Sequence, residues 1–231
     1  MRRRSNLDPS APGPEAVTLA EAIAGTRFAG LECGALIGAG SRCYVHAARL
    51  RDRDCALKIY RPRAIASHAR RYEQPLAAYE YAMNRQYHAC PALASHVAEP
   101  IDYLVTPRIQ LFLQERLIGP LYYFWYQQAS GADRERVRTG IEAMVEAAHG
   151  AGIYGLHLQA LNLIVVANAG GEPIPMLFDF IDPPRRLHHA NRLLGFAARL
   201  GLITPERLDY LTLAQLHDFR VLERRIRRSG I

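Results

Sequence analysis

Lysine is almost absent from this sequence. Lys58 is the single lysine among 29 lysine and arginine residues, and it falls within residues 54–60, a predicted strand. A genomic base composition that favours arginine codons accounts for the general preference for arginine over lysine. The one position that keeps lysine is therefore informative. Lysine carries a compact ammonium on a flexible stem, whereas arginine carries a planar fork. We therefore predict that position 58 has a role that needs an ammonium.

Closely spaced cysteines and long apolar runs are absent as well. The four cysteines stand apart in the sequence, at Cys33, Cys43, Cys55 and Cys90. They form no CxxC pair, so we expect neither a disulfide framework nor a zinc site, and we expect a cytoplasmic location. Without a run of ~18 uncharged apolar residues, no membrane span is predicted. Without basic segments interleaved with aromatic residues, no nucleic-acid partner is predicted.

The order of the predicted elements indicates an α+β chain. Residues 1–17 open with three arginines, lack the apolar core of a secretory signal, and begin a predicted disordered or flexible tail over residues 1–28. Strands and one helix are predicted in residues 29–116, at 30–38, 43–48, 54–60, 68–89 (the helix), 97–105 and 109–116. The remainder, 117–231, is predicted to be mostly helical, with helices at 121–128, 132–150, 187–200 and 205–228 and a hairpin of 163–166 with 175–178.

Two glycines, the lone lysine and a glutamate form the first candidate site. Gly38 and Gly40 lie between two predicted strands, where they are either hairpin glycines chosen for positive φ or a flap whose amides cover phosphates. A lysine in a buried strand needs a carboxylate partner, because desolvation otherwise disfavours its charge. Glu80, close to the apolar stripe of the helix at 68–89, is the predicted partner, and Glu73 is the alternative.

A second set of residues lies further along the chain. The segment 149–164 contains, in order, His149, Gly152, Ile153, Leu158, Asn162, Leu163 and Ile164. It resembles the stretch of protein kinases that runs from a helix end through the catalytic loop to its asparagine and an apolar strand. The segment 176–181 resembles the kinase strand that ends in Asp-Phe-Gly, with Asp179 as its aspartate. Together with the glycines, Lys58 and Glu80, five kinase-like elements occur in order over residues 30–182.

This resemblance implies a protein-kinase-like fold of two lobes that binds ATP and Mg²⁺. The implied lobes are an antiparallel β-sheet lobe with one helix at residues 29–116 and a compact, mostly helical lobe at 117–231. Asn162 and Asp179 are implied as the magnesium ligands, while Lys58 and Glu80 set the phosphates. The backbone near Glu115 and Leu117 is implied as the adenine-binding hinge. Apolar walls for the ring are implied at Leu36, Val45, Ala56 and Leu163, for which a plain core role is the alternative.

Among kinase-like proteins, the chain is most similar to the bacterial YrbL-like (PhoP regulatory network) family, on residues 42–46 after the glycines and on the spacing from Glu80 to Val97. The lipopolysaccharide sugar kinases are a more distant likeness. His157 stands where the catalytic-loop aspartate is expected. A neutral histidine is able to act as a general base, and a structural histidine bonded to backbone is the alternative.

Three functions follow from these observations. The first is an ATP-dependent phosphotransferase with an unknown acceptor: a protein hydroxyl, an envelope sugar or a small metabolite. The second, motivated by His157, is a catalytically weak or inactive pseudokinase that acts as a nucleotide-binding regulatory module. The third transfers the AMP moiety of the nucleotide. Arginines at 61, 63, 70, 71 and 220–228 are either a solvated surface or the contact for an anionic acceptor.

Overall fold

The structure, a computed structural model, describes residues 15–70, 72–107, 109–153, 156, 158, 161–180, 200 and 202. Its elements in chain order are α1 (Glu15–Ile23), β1 (Leu31–Ala39), β2 (Cys43–Leu50), β3 (Arg53–Tyr60), α2 (Pro62–Ala69), α3 (Leu76–His88), α4 (Pro91–Ala94), β4 (Pro100–Val105), β5 (Gln110–Glu115), α5 (Tyr122–Gln128), α6 (Gly131–Gly150), β6 (Leu163–Ala167) and β7 (Pro173–Leu177). The prediction of an α+β chain with an antiparallel sheet is therefore confirmed.

The chain divides into two compact units. The first comprises Met1–Tyr81 and Ile101–Arg116, and the second comprises Ala82–Pro100 and Leu117–Ile231. Residues 82–100 thus group with the second unit, although the sequence placed them in the sheet-containing part. None of the helices in the described ranges combines the length and the apolar character that a membrane span requires.

A five-stranded sheet organises the first unit. Its strand order is β1-β2-β3-β5-β4. The pairs β1–β2, β2–β3 and β3–β5 are antiparallel. Residues in β3 alternate between the two faces, so that Leu57 packs in one apolar cluster and Tyr60 in another. Both faces of β3 are covered, which explains why its sequence is apolar at every position after Asp54 except Lys58.

The predicted tail is wrong for residues 15–28. Leu19 and Ile23, one turn apart on α1, are buried together with Phe28 in the cluster that contains Leu57. Arg27 follows α1 and makes a bidentate contact with Asp102, with N···O distances of 2.8 and 2.7 Å. This short helix was missed because alanines surround its two large apolar residues, which leaves only a faint periodic signal.

Two helices replace the single helix predicted at 68–89. The first, α2, begins with Pro62 in its opening turn, where proline is favoured. The second, α3, begins after Pro75, whose carbonyl oxygen accepts a hydrogen bond from the Tyr79 amide at 2.9 Å. Proline biases the residue before it away from helical geometry, so the helix cannot run continuously through position 75. The first unit consequently contains more than the one helix predicted.

The second unit contains a long helix and a hairpin among its described residues. Ser130 caps α6 by accepting a hydrogen bond from the Asp133 amide at 3.1 Å, and the helix buries one stripe at Val137, Ile141, Met144, Val145 and Ala148. The predicted hairpin is confirmed as β6 and β7, whose connection is closed by amides of Gly170 and Glu172 bonded to Asn168. The helices predicted at 187–200 and 205–228 lie outside the described residues, except for Leu200.

Candidate functional site

Lys58 and Glu80 form a buried ion pair in the first unit. The Lys58 Nζ donates a hydrogen bond to Glu80 Oε1, and both residues are only 2% exposed. Glu80 Oε2 accepts a second hydrogen bond, from the hydroxyl of Tyr60. The predicted contact of Lys58 with Glu80 is thus present, whereas Glu73, the alternative, is exposed and precedes α3. The sequence reasoning missed Tyr60.

Local structure brings these three side chains together. Lys58 and Tyr60 are two residues apart on β3 and therefore project from the same face of the sheet. The first turn of α3 is anchored to that face because the Ala77 amide donates to Gln110 Oε1 at 3.0 Å. Glu80 follows about one turn later on the same helix. The Phe112 ring, also on this face, has its centroid 5.4 Å from the Lys58 ammonium.

Stability alone does not explain why the charged pair is retained, since apolar residues of similar volume often give equal or greater stability than a buried ion pair. Removing one partner is different, because the other charge is then buried alone, at a cost of about 3–5 kcal/mol. A buried Lys–Glu pair on the one lysine of the chain therefore points to a function for the ammonium.

The glycines before β2 are not required by the fold. Neither Gly38 nor Gly40 has a positive φ, so the hairpin interpretation based on positive φ is wrong. A Cβ at Gly38 would meet its nearest atom at 3.6 Å, and one at Gly40 at 3.8 Å, which are ordinary contact distances. Glycine at these two positions leaves the backbone uncovered, so that a ligand is able to approach it closely.

Two arginines at the start of α2 hold this glycine turn. Arg61 Nε donates to the Gly40 carbonyl oxygen at 3.1 Å, and an Arg63 Nη2 donates to the Ser41 carbonyl oxygen at 3.3 Å. The guanidinium of Arg61 also lies over the Tyr44 ring, 3.9 Å from its centroid. The turn is therefore fixed by contacts from outside its own hairpin.

The structure places two of the predicted adenine-wall residues on the face that carries Lys58. Val45 is the direct partner of Lys58 across the β2–β3 pairing, and Ala56 precedes Lys58 by two residues. Leu36 lies opposite His46, between two register shifts of the β1–β2 pair. At the end of β5, Glu115 lies opposite Cys55, and Leu117 begins the following segment of the second unit.

Asn162 and Asp179 lie at the same end of the β6–β7 hairpin. Leu163 and Leu177 are partners at that end, and the Phe178 amide donates to the Asn162 carbonyl oxygen at 3.4 Å. Asn162 is 9% exposed and Asp179 is half-buried. The two residues predicted as metal ligands therefore flank adjacent strand ends, and their role as ligands stays a prediction.

Asn162 and Asp179 suit a magnesium ion better than they suit a metal that is held by three or more protein side chains. Within the described ranges, no group of three or more histidine, cysteine, aspartate and glutamate residues is placed to hold a metal ion. Magnesium prefers oxygen donors and is usually held by one or two protein ligands together with substrate phosphates and water. The amide oxygen of Asn162 and the carboxylate of Asp179 fit that requirement. His157, the predicted base, lies outside the described residues.

No protein-family model matches the chain, and no curated protein matches it. The resemblance to the YrbL-like family consequently stays a prediction that rests on the residues quoted for it.

Proposed function

We propose that the chain is a cytoplasmic, ATP-binding phosphotransferase of the protein-kinase-like type that works with Mg²⁺. The buried Lys58–Glu80 pair carries the proposal, because it keeps an ammonium on the sheet face that also carries Val45 and Ala56. The acceptor is a protein hydroxyl, an envelope sugar or a small metabolite, and the YrbL-like family is the proposed relationship.

Each candidate site residue of the first unit has a proposed role that follows from its chemistry. The Lys58 ammonium offsets the negative charge of the phosphates, and Glu80 holds the lysine side chain in place. The backbone around Gly38 and Gly40 carries no side chain that would block a phosphate, and the Gly40 amide itself stays bonded to the Cys43 carbonyl oxygen. The apolar Val45 and Ala56 offer a surface for the adenine ring, whose edge bonds to backbone near Glu115 and Leu117.

The second unit supplies oxygen donors. Asn162 and Asp179 would hold the magnesium ion, which when bound neutralises phosphate charge and orients the transferred group. Their position at one end of a closed hairpin fixes the spacing of their backbones, so that little ordering is needed when a ligand binds.

A nucleotide-binding module without turnover is the second candidate. The observation that favours it is His157 in place of the expected catalytic aspartate. A general base contributes roughly 10²–10⁴-fold to a reaction rate, so its loss leaves binding intact while turnover falls to a low level. Transfer of AMP, the third candidate, needs the same ligands but leaves a different group on the acceptor.

Thermal unfolding with and without Mg²⁺ and ATP tests the binding proposal. At ligand concentrations 100-fold above Kd, binding stabilises the folded state by about 2.7 kcal/mol, which raises the Tm of a chain this size by about 5–10 °C. We expect this shift in the wild type and in Arg49→Met, an exposed control with the same change of charge, and a much smaller shift in Lys58→Met. Equal shifts in wild type and Lys58→Met would remove the assigned role of the lysine.

Mass spectrometry of the protein and of candidate acceptors then separates the three functions. Added phosphate indicates phosphoryl transfer, added AMP indicates nucleotidyl transfer, and an unchanged mass with a retained thermal shift indicates a binding module. Because Lys58→Met leaves Glu80 without its ammonium partner, its folding is checked by circular dichroism, and Asp179→Asn provides a second variant that leaves the buried pair intact.

A further inference from the structure

Glu80 is held by two donors from one strand. Lys58 bonds to Oε1 and Tyr60 bonds to Oε2, so the carboxylate plane is fixed from both ends. Tyr60 is itself buried, at 4% exposure, in the cluster formed with Leu76 and Phe112. The torsional preference of the last side-chain bond of glutamate is broad, so a donor at each carboxylate oxygen restricts rotation about that bond.

We propose that Tyr60 is a positioning residue that holds Glu80 against Lys58 and thereby orients the lysine ammonium. For its consequence on ligand binding, this inference rests on the proposed ATP site. Its geometric content concerns only Tyr60, Glu80 and Lys58, all within the first unit, and can be tested without a nucleotide.

A neutral donor suits this position. Tyr60 satisfies the second carboxylate oxygen without adding charge, so the pair of Lys58 and Glu80 stays close to neutral overall. A second cation would compete with Lys58 for the carboxylate. A purely apolar residue would leave Oε2 buried without that donor, and a buried acceptor that loses its partner is costly.

Packing alone does not account for the hydroxyl. Phenylalanine would fill the same space among Leu76, Ala77 and Phe112, as far as apolar contact is concerned. Tyr103 provides the comparison within the same cluster, because its ring packs there and lies near Tyr81 while its hydroxyl bonds to none of the described carboxylates. Tyr103→Phe is therefore a matched control for Tyr60→Phe.

The single lysine makes the test direct. Brief acetylation with acetic anhydride, followed by peptide mass spectrometry, measures one side-chain amine, and the α-amino group of the expressed chain serves as the internal reference. Losing a hydrogen bond to a charged group weakens the local structure enough to raise Lys58 acetylation about tenfold. We expect that increase in Tyr60→Phe and less than twofold in Tyr103→Phe.

Two comparisons decide between positioning and packing. Tyr60→Ala removes ring and hydroxyl, and a packing role predicts that only this variant accelerates acetylation, whereas positioning predicts that Tyr60→Phe does so as well. Unchanged acetylation in Tyr60→Phe overturns the inference. An increase that merely equals the change in the global unfolding constant, measured with urea on the same protein, overturns it too.

The consequence for the ligand is measured separately, as the Kd of ATP in the presence of Mg²⁺. We expect Tyr60→Phe to raise this Kd severalfold and Tyr103→Phe to leave it within twofold. If the wild type binds no nucleotide, the proposed function fails while acetylation still decides whether Tyr60 positions the pair. If the wild type binds and Tyr60→Phe binds equally well, the ligand-orienting role of Tyr60 fails and the proposed function stands.

Discussion

The Phe178 amide donates to the carbonyl oxygen of Asn162 at 3.4 Å, just beyond the last paired residues of the β6–β7 hairpin. This bond ties the residue before β6 to the residue after β7. It holds the Asn162 backbone beside Phe178, the residue that directly precedes Asp179, although the whole β6–β7 hairpin separates Asn162 from Asp179 in the sequence. Main-chain geometry thereby brings the backbones of these two residues, each with an oxygen-bearing side chain, to one end of the hairpin.

Asp179→Asn should therefore abolish the magnesium dependence of ATP binding. The substitution keeps the size of the side chain but removes the negative charge that a hard cation prefers. Titration calorimetry of ATP with and without Mg²⁺ measures this dependence. Asp52→Asn, at a carboxylate whose side chain is 96% exposed in a turn, is the control and should keep the wild-type dependence. A magnesium effect that survives in Asp179→Asn contradicts the assignment.

Gly40→Ala should fold normally and bind ATP more weakly. A Cβ at this position has room, and φ is not positive, so alanine is tolerated and even gains about 0.4–1 kcal/mol by restricting the unfolded chain. The added methyl group would stand between the backbone and a phosphate, which raises Kd. Urea unfolding and a nucleotide titration on the same protein separate these two effects.

Gly119→Ala is the structural counterpart and should unfold at much lower urea concentration. A Cβ there would lie 2.1 Å from the Val165 carbonyl oxygen, and overpacking of this kind costs about 1–3 kcal/mol or more. The pair of variants thus distinguishes a glycine that the fold needs from one that it does not. The distinction is lost if Gly40→Ala loses stability to the same degree as Gly119→Ala.

The sequence predicted the contact between Lys58 and Glu80 for a physical reason. An isolated lysine in an apolar strand requires a carboxylate, and the next helix offered only Glu73 and Glu80 as candidates. The kinase resemblance implied Asn162 and Asp179 as a pair, and the turn signal at Asn168 to Gly171 between two short apolar runs predicted the hairpin that they flank. In the first case a local chemical need had few possible solutions, and in the second a short connection left one way to pair the strands.

Other features depend on contacts that sequence periodicity does not report. In the sequence, Tyr60 is indistinguishable from any other apolar residue of a strand. Its hydroxyl is seen to have a partner only once the position of Glu80 is known. The alternation of β3 offered a signal, since Tyr60 must share the face of Lys58. Helix α1 is stabilised by the sheet face it covers, through Leu19 and Ile23, rather than by its own propensity.

Replacing Asp52 by glycine should stabilise the first unit. Arg51 and Asp52 connect β2 to β3 with φ values of 50° and 64°, the signature of a two-residue turn that favours glycine at its second position. Relief of the left-handed backbone is worth about 1 kcal/mol, partly offset by the greater entropy of glycine in the unfolded chain. The exposed contact of Asp52 with Arg49 contributes little. A higher urea midpoint is expected, and a lower one contradicts the turn assignment.

The stability of the fold should decline in alkaline solution partly through Cys55. Burial raises the pKa of this thiol from its ordinary 9.0 to about 11. The unfolded chain therefore loses the proton first, so this contribution to stability is complete below about pH 9 and is lost as the pH rises towards 11. Urea midpoints measured between pH 8 and pH 10.5 should fall less steeply in Cys55→Ala than in the wild type. Identical slopes would show that the thiol does not contribute.

Arg61→Lys should loosen the glycine turn without changing its charge. The guanidinium of Arg61 combines a hydrogen bond to the Gly40 carbonyl oxygen with stacking on Tyr44, and lysine lacks both the planar group and the Nε donor. Loss of these contacts costs about 0.5–1 kcal/mol locally. The Gly40 amide, which bonds to the Cys43 carbonyl oxygen at 2.9 Å, reports the opening by faster hydrogen exchange. Arg63→Lys, which loses only a 3.3 Å contact with Ser41, should change that rate less. Equal rates in both variants would mean that the ring contact of Arg61 does not hold the turn.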